Sequence, residues 1–365
     1  MNIIKSTITV IILSGFLLGG NDNVGTSALN FLKIGVGSRA EAMGGAYVSQ
    51  ANDITALYWN PAGLTGLTGP QVMFSQTEWI AGIKHIFVGI GWPVSAKFGT
   101  VGLSIISLSM EDLEETTQAD PDGTGRTFPA GDIAIGVGYA RKISDRFSFG
   151  IQGKFVQETI SFSKASSIAM DVGTLYDTGF WGMKIGMAVT NFGPEVTIRG
   201  TDLIFKKTDP YPDIDGNPNV NSRLETKDWP LPVSMRIGFS WNPIGPSGAF
   251  QTNALSLTMS TDYYDPRDFQ PYYNVGFEAA IMNMFYLRGG IVNRFAGDFT
   301  YNEEDGVVDL GDVSGFLDGY DQLLTAGVGL EQKIPFSNMI VSIDYAFSEM
   351  QYFSGVQRLT VSLRF

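Results

Sequence analysis

The chain contains no cysteine and a single histidine. Without cysteine it can form no disulfide, no thiolate metal site, no cysteine nucleophile and no lipid-modified N-terminal cysteine. The one imidazole, His85, supplies neither a zinc cluster nor a Ser-His relay, because no Ser or Asp companion stands out near it. We therefore expect no enzyme activity, no metal and no cofactor. The net charge of −13 also argues against nucleic-acid binding, which needs clustered Lys and Arg.

Long apolar runs and charged residues are also scarce. After the first twenty positions there is no run of about 18 apolar residues, as a membrane-spanning helix requires. Charged residues make up 17% of the chain, against about a quarter in soluble domains. The chain is instead rich in glycine, with 44 residues. Two classes remain: a soluble all-β protein, or an outer-membrane barrel, in which the apolar signal is spread over alternating residues.

The N-terminus has the pattern of a secretory signal peptide. Lys5 is followed by the short apolar run ITVIILSGFLLGG, and small residues follow at positions 26–28. This run is too short to span a membrane. We predict that residues 1–28 form a signal peptide, with cleavage between residues 20 and 28.

From residue 69 onward, apolar and polar residues alternate with a period of two, which predicts strands. In 231–241, Leu231 and the following odd positions to Trp241 are apolar, whereas the even positions from Ser234 are small or polar. Most predicted strands have about the 9–11 residues that a tilted membrane strand needs. They are 70–78, 84–92, 99–110, 131–141, 147–158, 166–177, 183–191, 231–241, 254–264, 272–281, 284–293, 322–332, 337–347 and 356–365.

Three features favour a membrane barrel over a soluble sandwich. The polar faces carry charges as well as glycines, as expected for a wet lumen; these charged residues are Lys154, Asp171, Arg236, Glu278, Arg288 and Asp344. Aromatic residues gather at strand ends, where they are candidates for the interface girdles; they are Trp79, Trp92, Trp241, Tyr263, Tyr264, Tyr272, Tyr273, Tyr345 and Phe347. The three longest connections, 111–130, 192–230 and 294–321, all follow odd-numbered strands, which matches long external loops and short periplasmic turns.

The first and third long connections are acidic, which keeps external loops solvated. The second contains Asp213-Ile214-Asp215-Gly216-Asn217, a superficial likeness to a calcium loop. Its twelfth position is Leu224, which cannot supply the acidic ligand of such a loop. We expect no specific calcium site there.

The sequence thus predicts an all-β fold: an antiparallel transmembrane β-barrel of about fourteen strands over residues 67–365. A barrel of this size lies between small barrels, which side chains fill, and porins of about 16 strands, which enclose a channel. The Gly- and Ala-rich residues 29–66 have little strand character and precede the barrel. We predict that they form an N-terminal plug containing a short helix.

The plug sequence resembles a known family signature. The run GVGSRAEAMGGAYVSQANDITALYWNPAGL, residues 35–64, looks like the N-terminal signature of the PorV/PorQ family of outer-membrane barrels, which are related in fold to the FadL-type transporters. Its most specific positions are Arg39, Ala40, Met43, Gly44, Gly45, Tyr58, Trp59, Asn60, Pro61, Ala62 and Gly63. The terminal Phe365 resembles the signal read by the barrel assembly machinery.

The resemblance implies a bacterial outer-membrane location, with lipid and the barrel assembly machinery as partners. It also implies two alternative functions. One is association with the type IX secretion system, with binding of exported cargo proteins or partner subunits at the cell surface. The other is passive transport of long-chain fatty acids or other hydrophobic small molecules, as in FadL-type barrels. The inward faces are mainly Gly, Ser, Ala and charges rather than an apolar path, which places the secretion function ahead.

Overall fold

The computed structural model describes residues 25–206, 221–295, 320–350 and 355–365, together with 300–301, 308–309 and 353. Most of the predicted signal peptide, the Asp213 loop and most of the third long connection lie outside the described residues.

Fourteen antiparallel strands form one closed sheet, as predicted. The first strand pairs with both the second and the last, so the barrel has no free edge there. The strands are β1 Gln71–Glu78, β2 Lys84–Ser95, β3 Gly99–Ser109, β4 Ala130–Lys142, β5 Phe147–Ile160, β6 Ser163–Asp177, β7 Lys184–Phe192, β8 Ser234–Ile244, β9 Leu255–Pro266, β10 Tyr272–Ile281, β11 Phe285–Phe295, β12 Tyr320–Lys333, β13 Ile340–Ser348 and β14 Val356–Arg364.

The period of two separates an apolar outer face from a small and polar inner face. In β1, Val72 and Phe74 are exposed on the outside, whereas Gln71, Ser75 and Thr77 are buried inside. Exposed apolar side chains recur on the outer face around the whole barrel. A soluble sandwich would bury these side chains between two sheets, so the arrangement is that of a closed barrel with an apolar outer face.

Leu231 does not belong to the apolar outer face, contrary to the prediction for 231–241. The strand begins at Ser234, and Leu231 is buried against the chain near Gly193. Pro230 and Pro232 flank Leu231, and proline has no N–H to donate to a strand ladder. The prolines therefore keep this apolar residue outside the sheet.

Three of the predicted girdle aromatics face inward instead. Tyr264 and Tyr272 are buried and lie opposite each other on β9 and β10, with ring centroids 5.0 Å apart. Trp79 packs against the buried core. Position at a strand end suggested a girdle, but the period of two puts Tyr264 on the same face as the buried Asp262. Trp92, Tyr345 and Phe347 do lie on the outer face.

The connections differ in length at the two ends of the barrel. Long connections follow β3, β7 and β11, and at the opposite end the chain turns within the short segments 96–98, 143–146, 178–183, 245–254, 282–284 and 334–339. The first long connection contains a small ribbon, Leu113–Glu114 paired with Thr127–Phe128, and the second contains Ile204–Lys206 paired with Asn221–Arg223. Within the described parts of the chain, no helix is long and apolar enough to cross a bilayer.

Candidate functional site: the plug and the two cavities beside it

Residues 29–67 lie inside the barrel and are nearly all buried. Two helices of one turn form there, α1 Ser38–Ala42 and α2 Ala56–Trp59, with 3-10 turns at Asn30–Lys33 and Pro61–Gly66. Isolated helices this short are unstable in water, so their conformation depends on contacts with the barrel wall. The fold therefore includes an N-terminal plug with short helical elements, as predicted.

Gly44 and Gly45 end the first helical segment in a left-handed conformation, with φ of 65° and 71°. Their amides donate to Glu41 O and Ala40 O, each at 3.0 Å, which satisfies carbonyls at the helix end. A side chain at Gly44 would also place its Cβ 3.1 Å from the backbone of Ile291 on β11. This turn therefore requires glycine for conformation and for space.

Glycines of the barrel wall lie directly against the plug backbone. A Cβ at Gly290 would fall 2.3 Å from the amide nitrogen of Gly44. A Cβ at Gly150 would fall 2.3 Å from that of Ala62, and one at Gly186 would fall 2.4 Å from the carbonyl oxygen of Val48. Such distances leave no room for a side chain, so these wall positions form the docking surface for the plug.

Asn60 and Pro61 fix the second half of the plug to β6. The fully buried Asn60 donates from Nδ2 to Val48 O at 2.8 Å and to Thr174 O at 3.0 Å, and its Oδ1 accepts from Ala62 N at 3.1 Å. Pro61 begins the 3-10 turn, where its missing N–H would have had no helical partner. Gly63 packs where a Cβ would lie 2.2 Å from Ala51 O.

A line of ion pairs joins α1 to the wall. Arg39 donates from Nε and Nη2 to the two oxygens of Glu278, both at 2.8 Å. Glu278 also accepts from Arg288 Nε at 2.7 Å, and Arg288 Nη1 donates to Asp344 at 2.6 Å. Burial alone would lower the pKa of Arg39, but Glu278, Tyr47 and Asp53 raise it well above its usual value. Arg39 therefore stays charged and holds the plug to β10, β11 and β13 through this network.

Three aromatic rings lie around Arg236. Its guanidinium carbon lies 5.6 Å from the ring centre of Tyr58, 4.9 Å from that of Trp59 and 4.2 Å from that of Tyr264. These distances are those of cation–π contacts. The Tyr58-Trp59 pair of the plug motif thus packs on a wall cation, and Trp59 Nε1 also donates to Val36 O at 2.8 Å.

Lys154 and Asp171 do not touch the plug motif. Lys154 Nζ lies 2.8 Å from Asp171 Oδ2 and 2.5 Å from Asn191 Oδ1, and Asp171 Oδ1 accepts from Asn191 N at 2.7 Å. Asn191 has a positive φ of 62° where β7 ends. This pair therefore links β5, β6 and the end of β7. Arg236 and Glu278 contact the plug directly, and Arg288 is connected to it through Glu278.

Several residues that hold the plug were missed by the sequence reasoning. Arg358 on β14 pairs with Glu41 of α1 at 2.9 Å. Asp262 on β9 accepts from the amides of Tyr47 and Val48 at 2.8 Å each. Arg358 and Asp262 both continue the inward alternation of strands that were predicted, so the period of two was sufficient to find them.

Tyr47 is a further plug residue outside the predicted set. Burial raises the pKa of Tyr47 well above its usual value, which keeps the hydroxyl protonated. That hydroxyl donates to Asp53 Oδ2 at 2.7 Å and accepts from Arg39 Nη1 at 3.1 Å. Tyr47 therefore links the two halves of the plug.

Phe365 lies at the seam between the first and last strands. Its amide donates to Pro70 O at 2.9 Å, and its carbonyl oxygen lies where a Cβ on Gly69 would be 2.1 Å away. The side chain is half exposed on the barrel surface. The terminal residue is thus part of the closure of the sheet.

A cavity of about 720 Å³ lies between the plug and the end of the barrel that carries the long connections, and we call it the outer cavity. Its floor includes residues 27–34 of the plug. Most of its lining is apolar, including Phe31, Trp79, Leu108, Val196, Trp229 and Phe269. Four charged residues also line it: Lys33, Asp132, Glu158 and Asp268. This combination of apolar walls with a few polar groups is typical of small-molecule sites.

A second cavity, of about 420 Å³, lies at the end with the short turns, and we call it the inner cavity. It is lined largely by polar and charged residues, including Arg39, Asp53, Arg288, Glu331 and Arg364. None of its lining residues also lines the outer cavity. The plug therefore separates an apolar cavity on one side from a polar cavity on the other.

His85 is buried and faces the barrel interior, and its Nε2 has no hydrogen-bond partner among the described residues. Its charged neighbour is Arg358, and within the described residues no Ser or Asp side chain forms a hydrogen bond that would orient the ring. A nucleophile–base pair requires such a bond. His85 thus lacks the geometry of a catalytic base in the described part of the chain.

Comparison with known proteins finds one matching family and solved structures with a similar fold. Residues 19–198 match the family model for type IX secretion system protein PorV, and no curated protein sequence matches the chain. The chain is similar in structure to the CymD monoaromatic hydrocarbon channel, with a TM-score of 0.52, 11% identity, and coverage of 92% of this chain and 97% of that one. It is likewise similar to the Pseudomonas putida toluene transporter TodX, with a TM-score of 0.50, 11% identity, and coverage of 90% and 97%.

At this level of identity the two structural likenesses establish the fold alone. The family match covers the plug and strands β1 to β7, which is where the motif residues and many of their wall contacts lie. Together with the closed fourteen-stranded barrel, it shows that the chain is a bacterial outer-membrane β-barrel of the PorV family.

Proposed function

We propose that this barrel is a component of type IX secretion that binds exported cargo proteins or partner subunits at the cell surface. The observation that carries the proposal is the match of the plug-bearing half to a family described as a type IX secretion system protein. In this role the barrel is a closed platform in the membrane rather than an open channel.

The attachment of the plug to the barrel wall favours this role as a closed platform. Partly buried ion pairs hold α1 to the wall at Glu278 and Arg358. Loss of one partner costs about 3–5 kcal/mol when such a pair is fully buried. Glycine contacts hold the plug backbone at Gly150, Gly186 and Gly290. The outer and inner cavities lie on opposite sides of the plug and share no lining residue among the described parts of the chain, as expected of a closed platform.

The end of the barrel with the long connections has features of a binding surface. Outer-membrane barrels carry their longer loops on the outside. Exposed large apolar residues occur there on the described loop segments, and such residues mark interaction sites when they cluster. They are Leu113, Ile198, Ile204, Leu224 and Trp229.

Site-specific photocrosslinking in cells tests this function. A photoreactive residue in place of Leu224 or Trp229 is expected to capture exported proteins or secretion subunits. The matched controls are Phe98 and Phe336, which are exposed apolar residues in the turns at the opposite end. Equal capture from both ends, or none from Leu224 and Trp229, would contradict the proposal.

A second candidate function is uptake of hydrophobic small molecules, and the outer cavity is the observation that favours it. Its volume and apolar lining suit a small ligand. Uptake would require the plug to shift, because the cavity ends on plug residues. Ligand accumulation by cells that express the barrel, compared with cells that express a variant whose plug is cross-linked to the wall, distinguishes uptake from surface binding.

We also propose that residues 1–28 act as a signal peptide and that the assembly machinery reads Phe365. Lipid would cover the apolar outer face, and the chain would have no enzymatic activity, in keeping with its one isolated histidine. N-terminal sequencing of the protein from outer membranes tests the first point. A start at residue 2 would contradict it.

A further inference from the structure

Two carboxylates of the outer cavity lack a compensating charge. Asp132 on β4 and Glu158 on β5 lie directly opposite each other and both line the cavity. Glu158 accepts a hydrogen bond from Leu29 N at 3.2 Å. Within the described residues neither carboxylate forms an ion pair. Like charges directly opposite each other destabilise a pair of strands, so packing does not explain this arrangement.

A third carboxylate, Asp268, uses the only cation of the cavity lining that the structure describes. Lys33 Nζ lies 2.6 Å from Asp268 Oδ2, and Ser27 also hydrogen-bonds to this oxygen. Asp268 is only 5% exposed, and its Oδ1 has no hydrogen-bond partner in the described structure. The lining therefore carries three carboxylates and one ammonium, and the ammonium is already paired.

Carboxylates next to apolar walls lose hydration, and a nearby positive charge offsets that cost. We propose that the outer cavity binds a hydrophobic small molecule that carries one positively charged amine. Its apolar body would contact Phe31, Trp79 and Trp229, and its ammonium would lie between Asp132 and Glu158. The cavity volume of about 720 Å³ falls within the range of about 300–1,000 Å³ found for ligand pockets.

The same charges discriminate against fatty acids. A carboxylate placed in this cavity would lie beside Asp132 and Glu158, and like-charge contacts at low dielectric oppose binding. Lys33 cannot readily serve as its partner, because it is held by Asp268. The cavity therefore favours amines over neutral analogues, and neutral analogues over acids.

Three probes with one skeleton test this order: phenylbutylamine, phenylbutanol and phenylbutyrate. The full-length barrel in lipid nanodiscs is titrated at neutral pH by calorimetry and by fluorescence of the cavity residues Trp79 and Trp229. We expect the amine to bind about 10-fold or more tightly than the alcohol, which corresponds to about 1.4 kcal/mol, and the acid to bind most weakly. Equal affinities, or tighter binding of the acid, would overturn the proposal.

Two variants test whether Asp132 and Glu158 cause the preference for the amine. The double variant Asp132→Asn with Glu158→Gln is expected to bind the amine and the alcohol with affinities within about two-fold of each other. The matched control is Glu331→Gln, which removes a carboxylate from the inner cavity and should leave the order unchanged. Retention of the amine preference in the double variant would refute the assigned site.

One further outcome is decisive. Amine binding that appears only after deletion of residues 207–220 would mean that the chain fills its own cavity, and it would overturn the proposal. None of these readouts involves exported proteins, so their failure would leave the secretion function untouched.

Discussion

Glu278 is the residue on which the docking of the plug most depends, because one carboxylate serves two arginines. Its Oε2 accepts from Arg39 at 2.8 Å and from Arg288 at 2.7 Å. In Glu278→Gln the amide presents its own N–H groups to a guanidinium and carries no charge. The buried Arg288 then keeps only Asp344, and the partly buried Arg39 keeps only the more distant Asp53, which lies 3.8 Å from its Nη1.

We expect Glu278→Gln to destabilise the docked plug by about 3–5 kcal/mol, the usual cost of leaving a buried charge without its partner. Hydrogen exchange of the amides of residues 38–48, measured by mass spectrometry in nanodiscs, reports local opening of this segment. A loss of about 3 kcal/mol accelerates their exchange by about 100-fold. The barrel strands, which keep their ladders, should exchange at the wild-type rate.

Lys154→Gln is the matched control, because Lys154 pairs with Asp171 away from the plug. It removes a buried charge of the same wall but should leave exchange of residues 38–48 unchanged. If Glu278→Gln folds into a heat-modifiable barrel and its plug amides remain as protected as in the wild type, the ion pairs do not hold the plug, and this reasoning is refuted.

Three further predictions concern the plug. Gly290→Val should displace the turn at Gly44, because its Cβ would lie 2.3 Å from that backbone, and protease cleavage of the plug should increase. Gly153→Val is the control, because a Cβ there meets no described atom within 4 Å, and it should not change cleavage. Asn60→Ala leaves carbonyls unpaired at about 1–3 kcal/mol each and should lower the melting temperature, whereas wild-type stability would contradict the role of its hydrogen bonds. Deletion of residues 29–66 should raise conductance in planar bilayers, and unchanged conductance would show that the lumen is closed by other groups.

The barrel was predictable because strand alternation is a local property. Each strand shows its two faces within about ten residues, and the difference between long and short connections orients the barrel. The error at Leu231 came from counting apolar positions across two prolines. The errors at Tyr264 and Tyr272 came from judging aromatics by their position along the strand rather than by their face.

The contacts of the plug were not predictable in the same way. Arg39 and Glu278 are separated by 239 positions, and no local pattern indicates which arginine pairs with which carboxylate. The motif indicated that residues 35–64 belong to one plug segment, and the charges on the inward faces indicated that the inner wall is polar. Their pairing depends on the register of β10 to β14, which only the closed sheet determines.

The pair between Glu41 and Arg358 joins the N-terminal plug to the last strand. A chain released before β14 is complete can hold neither this contact nor the seam between β1 and β14. The Glu41–Arg358 contact and the seam therefore form only once the final strand is in place. Closure of the sheet and completion of the plug contacts thus depend on the same strand.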